Sequence, residues 1–398
     1  MCSTINKKTR VIGLIRGVEG KLFSNFKIFI LLMTIIDEEI KKVEEEIRNT
    51  PYNKSTEQHI GLLKAKLAKL KQKKIEKAEK ETGGKGYAIE KSGDATIILV
   101  GFPSVGKSTL LNSLTGAESE VANYDFTTLE VIPGALKYKG ANFQILDVPG
   151  IISGASEGRG RGREVISVFR SADLLILMVD PFEIEQYKKI KKELYESGVR
   201  LNSEPPDVNI RRRDSGGLEI SSPLNLTMSK DEIGAILKES GVINVEVVIR
   251  EDVTAERLID AIARNRRYIP GLVVINKIDL LDESSLERVK RYGEGEISED
   301  VLYISAKSGK LETLKEEMFE KLNFIRIYLK PRGKEADREE PLILKEGAAI
   351  EDLCREIHRD FEEKFRYARV WGESVKHPGE KVGKNHELSD EDIVSVFT

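Results

Sequence analysis

Residues 101 to 108, Gly101-Phe102-Pro103-Ser104-Val105-Gly106-Lys107-Ser108, match the phosphate-binding pattern G-x-x-x-x-G-K-S. The residue types account for the chemistry. The glycines let backbone N–H groups close around phosphates, and a helix opening at Lys107 adds the positive end of its dipole. Lys107 has the reach for β- and γ-phosphates, and the Ser108 hydroxyl is a hard oxygen ligand suited to Mg²⁺. The apolar run Ala95 to Phe102 reads as a buried strand feeding this loop.

Four further elements follow in the order a guanine-nucleotide site requires. Thr127-Thr128 lies first, and Thr128 is the expected second protein ligand of Mg²⁺, on a loop ordered by the γ-phosphate. Asp147-Val148-Pro149-Gly150 closes an apolar strand; Asp147 can hold the ion through water, and the Gly150 N–H can sense the γ-phosphate. Asn276-Lys277-Ile278-Asp279 follows the run Leu272 to Ile275, and the Asp279 carboxylate can accept both N1–H and N2–H₂ of guanine. Adenine offers neither in that geometry, which opposes an ATP reading. In Ser305-Ala306-Lys307, the Ala306 N–H is expected to donate to guanine O6. Catalysis is assigned to Lys107, Thr128 and Gly150. The residue after Gly150 is Ile151, where Ras-like enzymes carry a water-orienting Gln; an aliphatic side chain cannot do that, so turnover is expected to be slow. The basic glycine-rich segment Gly154 to Glu164 reads as a solvated switch loop or, through Arg159, Arg161 and Arg163, as a phosphate neighbour.

Positioning such a site takes strands whose ends converge. Asn142 to Leu146, Leu174 to Val179, Leu272 to Ile275 and Leu302 to Ile304 are short apolar strands, alternating with helical patterns such as Ala255 to Ala263 and Leu311 to Leu322. The pattern predicts an α/β fold with a parallel sheet covered on both faces. Residues 185 to 250 interrupt it and predict an inserted α+β subdomain, in which Arg211-Arg212-Arg213 reads as a surface loop rather than the alternative, a nucleic-acid site. After residue 323 a strand Ile325 to Leu329, one helix over 349 to 364 and strands Ala368 to Trp371 and Ile393 to Phe397 predict a separate α+β module.

Upstream, Ile36, Ile40, Val43 and Ile47 mark an amphipathic helix over 36 to 49, stopped by Pro51. A second, from Thr56 to Lys80, carries Ile60, Leu63, Leu67 and Leu70 on one face, and the two predict an antiparallel hairpin. Its lysine-rich face reads either as solvated or as an RNA phosphate contact. Gly83-Gly84 and Gly86 mark a linker. Residues 1 to 32 read as an extension, with Met33 the expected native start; the run Phe26 to Ile36 is too short to span a bilayer.

The 398 residues are 40% hydrophobic and 33% charged, with net charge −3, which excludes a wholly disordered or globally basic chain. Two cysteines, Cys2 and Cys354, exclude a disulfide framework and favour a reducing, cytoplasmic setting.

GFPSVGKSTL, YDFTTL, DVPGII with GRGRGREVI, and NKID together resemble the Obg/HflX superfamily of translation-associated GTPases, and within it the developmentally regulated GTP-binding protein (Drg) family. The resemblance covers residues 33 to 398, and the ending RVWGESVKHPGEKVGKNHELSDEDIV is similar to a TGS domain of β-grasp fold. It implies a helix-turn-helix-like hairpin over 33–84, an Obg-type P-loop G domain over 85–322 with the insertion at about 185–250, and a TGS domain over 323–398. It also implies a ribosome or RNA partner through the TGS domain and the lysine-rich hairpin, and a stabilising partner protein; no membrane partner is expected, because no segment of the sequence is apolar enough to span one. Many relatives use K⁺ held by Asn at the fourth P-loop position; here that residue is Ser104, with a shorter reach.

Overall fold

In the computed structural model, the described residues are 34–54, 56–81, 92–116, 131–148, 168–169, 171–263, 266–308 and 311–398, without the side chains of 75, 76 and 78–81. Thr128, Pro149, Gly150, Ile151, the segment Gly154 to Glu164 and residues 1–32 lie outside them. In chain order come helix α1 (34–49), then α2 (Glu57–Glu81), β1 (Ala95–Val100), α3 (Lys107–Thr115), β2 (Ile132–Tyr138), β3 (Ala141–Asp147), β4 (Leu174–Val179), α4 (Gln186–Glu196) and β5 (Val199–Leu201). Next are β6 (Val208–Arg212), β7 (Leu218–Ser221), α5 (Lys230–Glu239), β8 (Val245–Ile249), α6 (Ala255–Ala263), β9 (Arg267–Ile269), β10 (Gly271–Ile275), α7 (Glu283–Glu296), β11 (Val301–Tyr303) and α8 (Glu312–Lys321). The chain ends with β12 (Phe324–Leu329), β13 (Leu342–Lys345), α9 (Ile350–Ile357), α10 (Arg359–Glu363), β14 (Tyr367–Trp371), β15 (Glu380–Val382) and β16 (Ile393–Phe397). The described residues fall into two compact units: those within 1–85 and 205–266, and those within 86–204 and 267–398.

In the second unit a six-stranded sheet runs in the order β11-β10-β4-β1-β3-β2. Every residue of β1, β4 and β10 is buried, as befits parallel strands covered on both faces. Alternate side chains feed opposite faces. Ile97 and Leu99 join Leu110 and Leu114 of α3 and Leu314 and Met318 of α8. Ile98 and Val100 join Tyr187, Ile190 and Leu194 of α4 and Val289 of α7. Each fully buried aliphatic side chain contributes about 1.5–3 kcal/mol. The sheet departs from the all-parallel expectation at one edge, where β2 pairs antiparallel with β3. Pro133 and Gly134 hid β2 from the sequence pattern; Pro is tolerated because an edge strand leaves one side of its backbone unpaired.

The same unit contains a five-stranded sheet, β13-β12-β16-β14-β15. Ile350, Leu353 and Cys354 of α9 pack on Ile325, Ile327, Ala368, Val370 and Val394 of this sheet. The single helix expected over 349 to 364 is two. His358 is extended (φ −177°, ψ 147°), and its Nδ1 accepts from the Asp360 N–H at 3.2 Å, capping a new helix. Phe324, the first residue of β12, packs into the first sheet's core, its ring 6.2 Å from Phe143 and 5.9 Å from Phe319.

In the first unit, Ile36, Ile40 and Val43 of α1 meet Leu63 and Leu70 of α2, the antiparallel hairpin the spacing predicts. The other side of α2, through Leu62, Ala65 and Ala68, joins the core that α5 and α6 build over the sheet β6-β8-β7. Arg211 and Arg212 lie in β6, and Arg213 pairs with Glu219 and Glu246, each at 2.7 Å. The arginine triplet is therefore strand and strand end, not a free loop.

Candidate functional site

The predicted site residues that can be placed converge at the C-terminal ends of β1, β3, β10 and β11. Gly101 leaves β1 beside β4, where an added Cβ would stand 2.6 Å from the Met178 carbonyl oxygen. Ser104 (φ 66°) and Gly106 (φ 99°) are left-handed, which curls the loop back toward α3. A Cβ on Gly106 would fall 2.4 Å from Asn276 Nδ2. Gly106 offers α3 no side-chain cap, so the first-turn N–H groups are left for an external anion.

Lys107 is 9% exposed and curls over the loop, donating to the carbonyls of Gly101 (3.1 Å) and Phe102 (3.2 Å). Burial pulls its pKa down, and the negative charge of Asp147 works against that shift. A phosphate would replace two neutral acceptors with a charged one. Ser108 donates to Asp147 Oδ2 at 2.7 Å. Asp147 is 1% exposed, and its buried Oδ1 has no hydrogen-bond partner among the described residues. A hydroxyl beside a half-satisfied buried carboxylate fits a hard divalent cation, and Mg²⁺ takes few protein ligands when phosphates supply the rest. Val148 instead enters the core, as does Val105, whose carbonyl remains in the loop. Phe102 is partly buried against both cores, and Pro103 is exposed.

Asn276 and Lys277 tie the base side to the phosphate side. Asn276 is 2% exposed; its Nδ2 donates to the Val105 carbonyl and its Oδ1 accepts from the Ala306 N–H, both at 2.9 Å. That second bond differs from the sequence expectation, which gave the Ala306 N–H to guanine O6. A buried amide must satisfy both ends, and Ala306 is the donor within reach. Lys277, left-handed at φ 63°, donates to the Ser104 carbonyl at 2.6 Å. Asp279 sits in the short 3₁₀ turn Ile278–Leu280, exposed and without a hydrogen bond among the described residues, so its carboxylate is open to a base. Ser305 is buried and Lys307 exposed on the following turn.

Sequence reasoning missed Asp180. It follows β4, whose register sets Val179 beside Ile275 and so Asp180 beside Asn276. Its Oδ2 accepts from Lys277 Nζ at 2.7 Å, and its Oδ1 from the Phe182 N–H at 3.0 Å. A lone carboxylate after a strand has no motif; the available signal was its place at the end of a strand between two motif-bearing ones.

Three family descriptions match. "50S ribosome-binding GTPase" covers residues 96–212, "C-terminal region of MMR_HSR1 domain" 215–324, and "TGS domain" 325–398. The chain is 54% identical over 363 residues to an uncharacterized GTP-binding protein of Methanocaldococcus jannaschii, covering 91% of this chain and 92% of that one. It is 43% identical over 372 residues to ribosome-interacting GTPase 1 of Saccharomyces cerevisiae, covering 92% of this chain and all of that one (100%). It is 42% identical over 362 residues to developmentally-regulated GTP-binding protein 2 of Bos taurus, covering 90% and 98%.

Proposed function

Given that the chain belongs to the developmentally regulated GTP-binding protein family of GTPases, we propose that it binds GTP with Mg²⁺, hydrolyses it slowly to GDP and phosphate, and acts as a switch on the ribosome. The observation that carries this reading is the open Asp279 carboxylate on a turn locked to the P-loop by Asn276 and Lys277. Base recognition and phosphate binding then report on one another through three residues.

The P-loop N–H groups and Lys107 would hold the β- and γ-phosphates and neutralise charge as the terminal bond breaks. Ser108 would ligate Mg²⁺ directly and Asp147 would hold it through water, with Thr128 as the second direct protein ligand; the ion supplies further neutralisation of phosphate oxygens when bound. Gly150 would sense the γ-phosphate. Ile151 cannot orient water by hydrogen bonding, so intrinsic turnover is slow and the missing polar group comes from a partner. The name of the yeast relative supports the ribosome as that partner. Among the described residues, no helix is long and apolar enough to cross a membrane.

Multiple-turnover GTP hydrolysis in Mg²⁺, with KCl against NaCl and with or without purified ribosomes, tests this. Slow turnover that ribosomes accelerate supports the switch. Bound GTP with no turnover in any arm leaves a nucleotide-dependent scaffold, the reading that Ile151 favours. Faster turnover in KCl would extend K⁺ use to a loop with Ser104.

A further inference from the structure

Ser113 lies on α3, past Lys107, and belongs to none of the motifs. A serine or threonine inside a helix either faces water or turns its hydroxyl back to the carbonyl four residues earlier. Thr115 of the same helix bonds back to Leu111 at 2.9 Å, and Ser240 at the end of α5 to Ile236 at 2.8 Å. Ser113 does neither. Its Oγ donates at 2.8 Å to the carbonyl of Ala306, 193 residues away in sequence.

Ala306 is thereby held on both sides. Its N–H donates to Asn276 Oδ1 at 2.9 Å, which takes that N–H away from any base. Its side chain joins the core that holds Leu110 and Leu114 of α3. The Ser305 carbonyl accepts from the Ser308 N–H at 3.1 Å and from the Ser308 hydroxyl at 2.9 Å, which closes the turn. Across a trans peptide the carbonyl and the following N–H point in opposite directions. With the Ala306 carbonyl turned to Ser113, the Lys307 N–H is turned away from α3. No hydrogen bond among the described residues takes that N–H, and Lys307 is exposed.

We propose that Ser113 is a positioning residue for guanine recognition: by holding the Ala306 carbonyl it aims the Lys307 N–H, rather than the Ala306 N–H, at guanine O6. The proposal rests on the guanine-nucleotide reading above and divides the base between two groups. Asp279 reads the N1–H and N2–H₂ edge, and the peptide held by Ser113 reads the 6-oxo group. An N–H in that place rejects adenine, whose 6-amino group meets it donor to donor. Ser113 and Lys107 share one helix, so the hydroxyl fixes this half of base recognition to the phosphate site.

The test uses the full chain with Mg²⁺ and compares GDP, 6-thio-GDP, IDP, ADP and tripolyphosphate by equilibrium titration. 6-thio-GDP keeps the groups that Asp279 reads but puts sulfur, a weak acceptor, in place of O6. IDP keeps O6 and lacks the 2-amino group. Wild-type chain should prefer GDP to both. Ser113→Ala is expected to weaken GDP and IDP together, about threefold to tenfold, the loss of one net hydrogen bond. 6-thio-GDP should weaken little, so the preference for GDP over it shrinks by the same factor. The preference for GDP over IDP and the affinity for tripolyphosphate should not move. Ser113→Thr keeps the hydroxyl and should keep the wild-type preferences. A Ser113→Ala chain with the wild-type preference for GDP over 6-thio-GDP overturns the proposal. So does one that loses GDP and 6-thio-GDP by equal factors, since the hydroxyl would then only hold the loop together. Wild-type chain that binds GDP and ADP alike brings down the guanine reading as well.

Discussion

Asp180 gives Lys277 its place. The ammonium is shared between the Ser104 carbonyl and the Asp180 carboxylate, while the backbone of Lys277 sits in a region unfavourable to non-glycine residues. Removing one partner of a charge-assisted bond costs about 1.5–3 kcal/mol. Asp180→Ala is therefore expected to weaken GDP and GTP alike, by about tenfold or more, and to leave tripolyphosphate binding nearly unchanged. Equal loss for tripolyphosphate would mean the P-loop itself had collapsed. Asp279→Asn makes a different prediction: GTP affinity falls and xanthosine triphosphate affinity rises, because an amide N–H₂ matches the 2-oxo group of xanthine. Competition binding reads both, and a variant that keeps full GTP affinity removes Asp279 from base recognition. The motif residues were legible in the sequence because each carries its own spacing. Asp180 was not, because its role exists only once β4 and β10 are neighbours.

At the scale of elements, what the sequence showed follows how each strand is buried. Leu174–Val179 has the limits the sequence predicts, since an unbroken apolar run marks its own ends, and Ile393–Phe397 has them too, bounded by Asp392 and the chain's last residue. Ile132–Tyr138 was invisible, because an edge strand tolerates the Pro and Gly that elsewhere signal a turn. The docking of α2 on α5 and α6 was likewise hidden, since it joins segments about 170 to 190 residues apart. Gly61 marks that contact: an added Cβ would meet Ala255 Cβ at 3.4 Å and Ile236 Cδ1 at 3.6 Å, ordinary contacts. Gly61→Ala should thus stabilise the first unit by about 0.5–1 kcal/mol through helix propensity, read as a higher denaturant midpoint, while Gly61→Leu should lower it. The same contact is pH-sensitive. Burial raises the pKa of Glu256, but hydrogen bonds led by Lys64 outweigh it, and the net pKa is below the ordinary value of 4.5. A carboxylate with a depressed folded pKa contributes stability that is present above its unfolded pKa and lost as pH falls through the folded one. Helical signal measured from pH 6 down to pH 3 should show α2 loosening in that window, and Glu256→Gln should remove that part of the pH dependence.

For the whole molecule, the division of the chain into units decides what nucleotide can stabilise. Every motif residue among the described residues belongs to the unit of residues 86–204 and 267–398, whereas the hairpin and the sheet β6-β8-β7 belong to the other. A ligand that binds only the folded form stabilises it by RT ln(1 + [L]/Kd), about 2.7 kcal/mol at a hundredfold excess over Kd. That free energy acts on whatever unfolds together with the site. The two units have separate apolar cores, so calorimetry is expected to show two transitions, of which GDP with Mg²⁺ raises one. Phe324 ties β12 into the core beneath the nucleotide sheet, so the five-stranded sheet should melt with the shifted transition. Its probe is Trp371, the only tryptophan, which lies on β14 of that sheet. Tryptophan fluorescence should follow the nucleotide-dependent transition and be silent in the other. Fluorescence that tracks the nucleotide-independent transition would show that Phe324 does not couple the two sheets. A single transition shifted as a whole would show that the three chain crossings between units, at 85–86, 204–205 and 266–267, carry cooperativity that the cores alone do not.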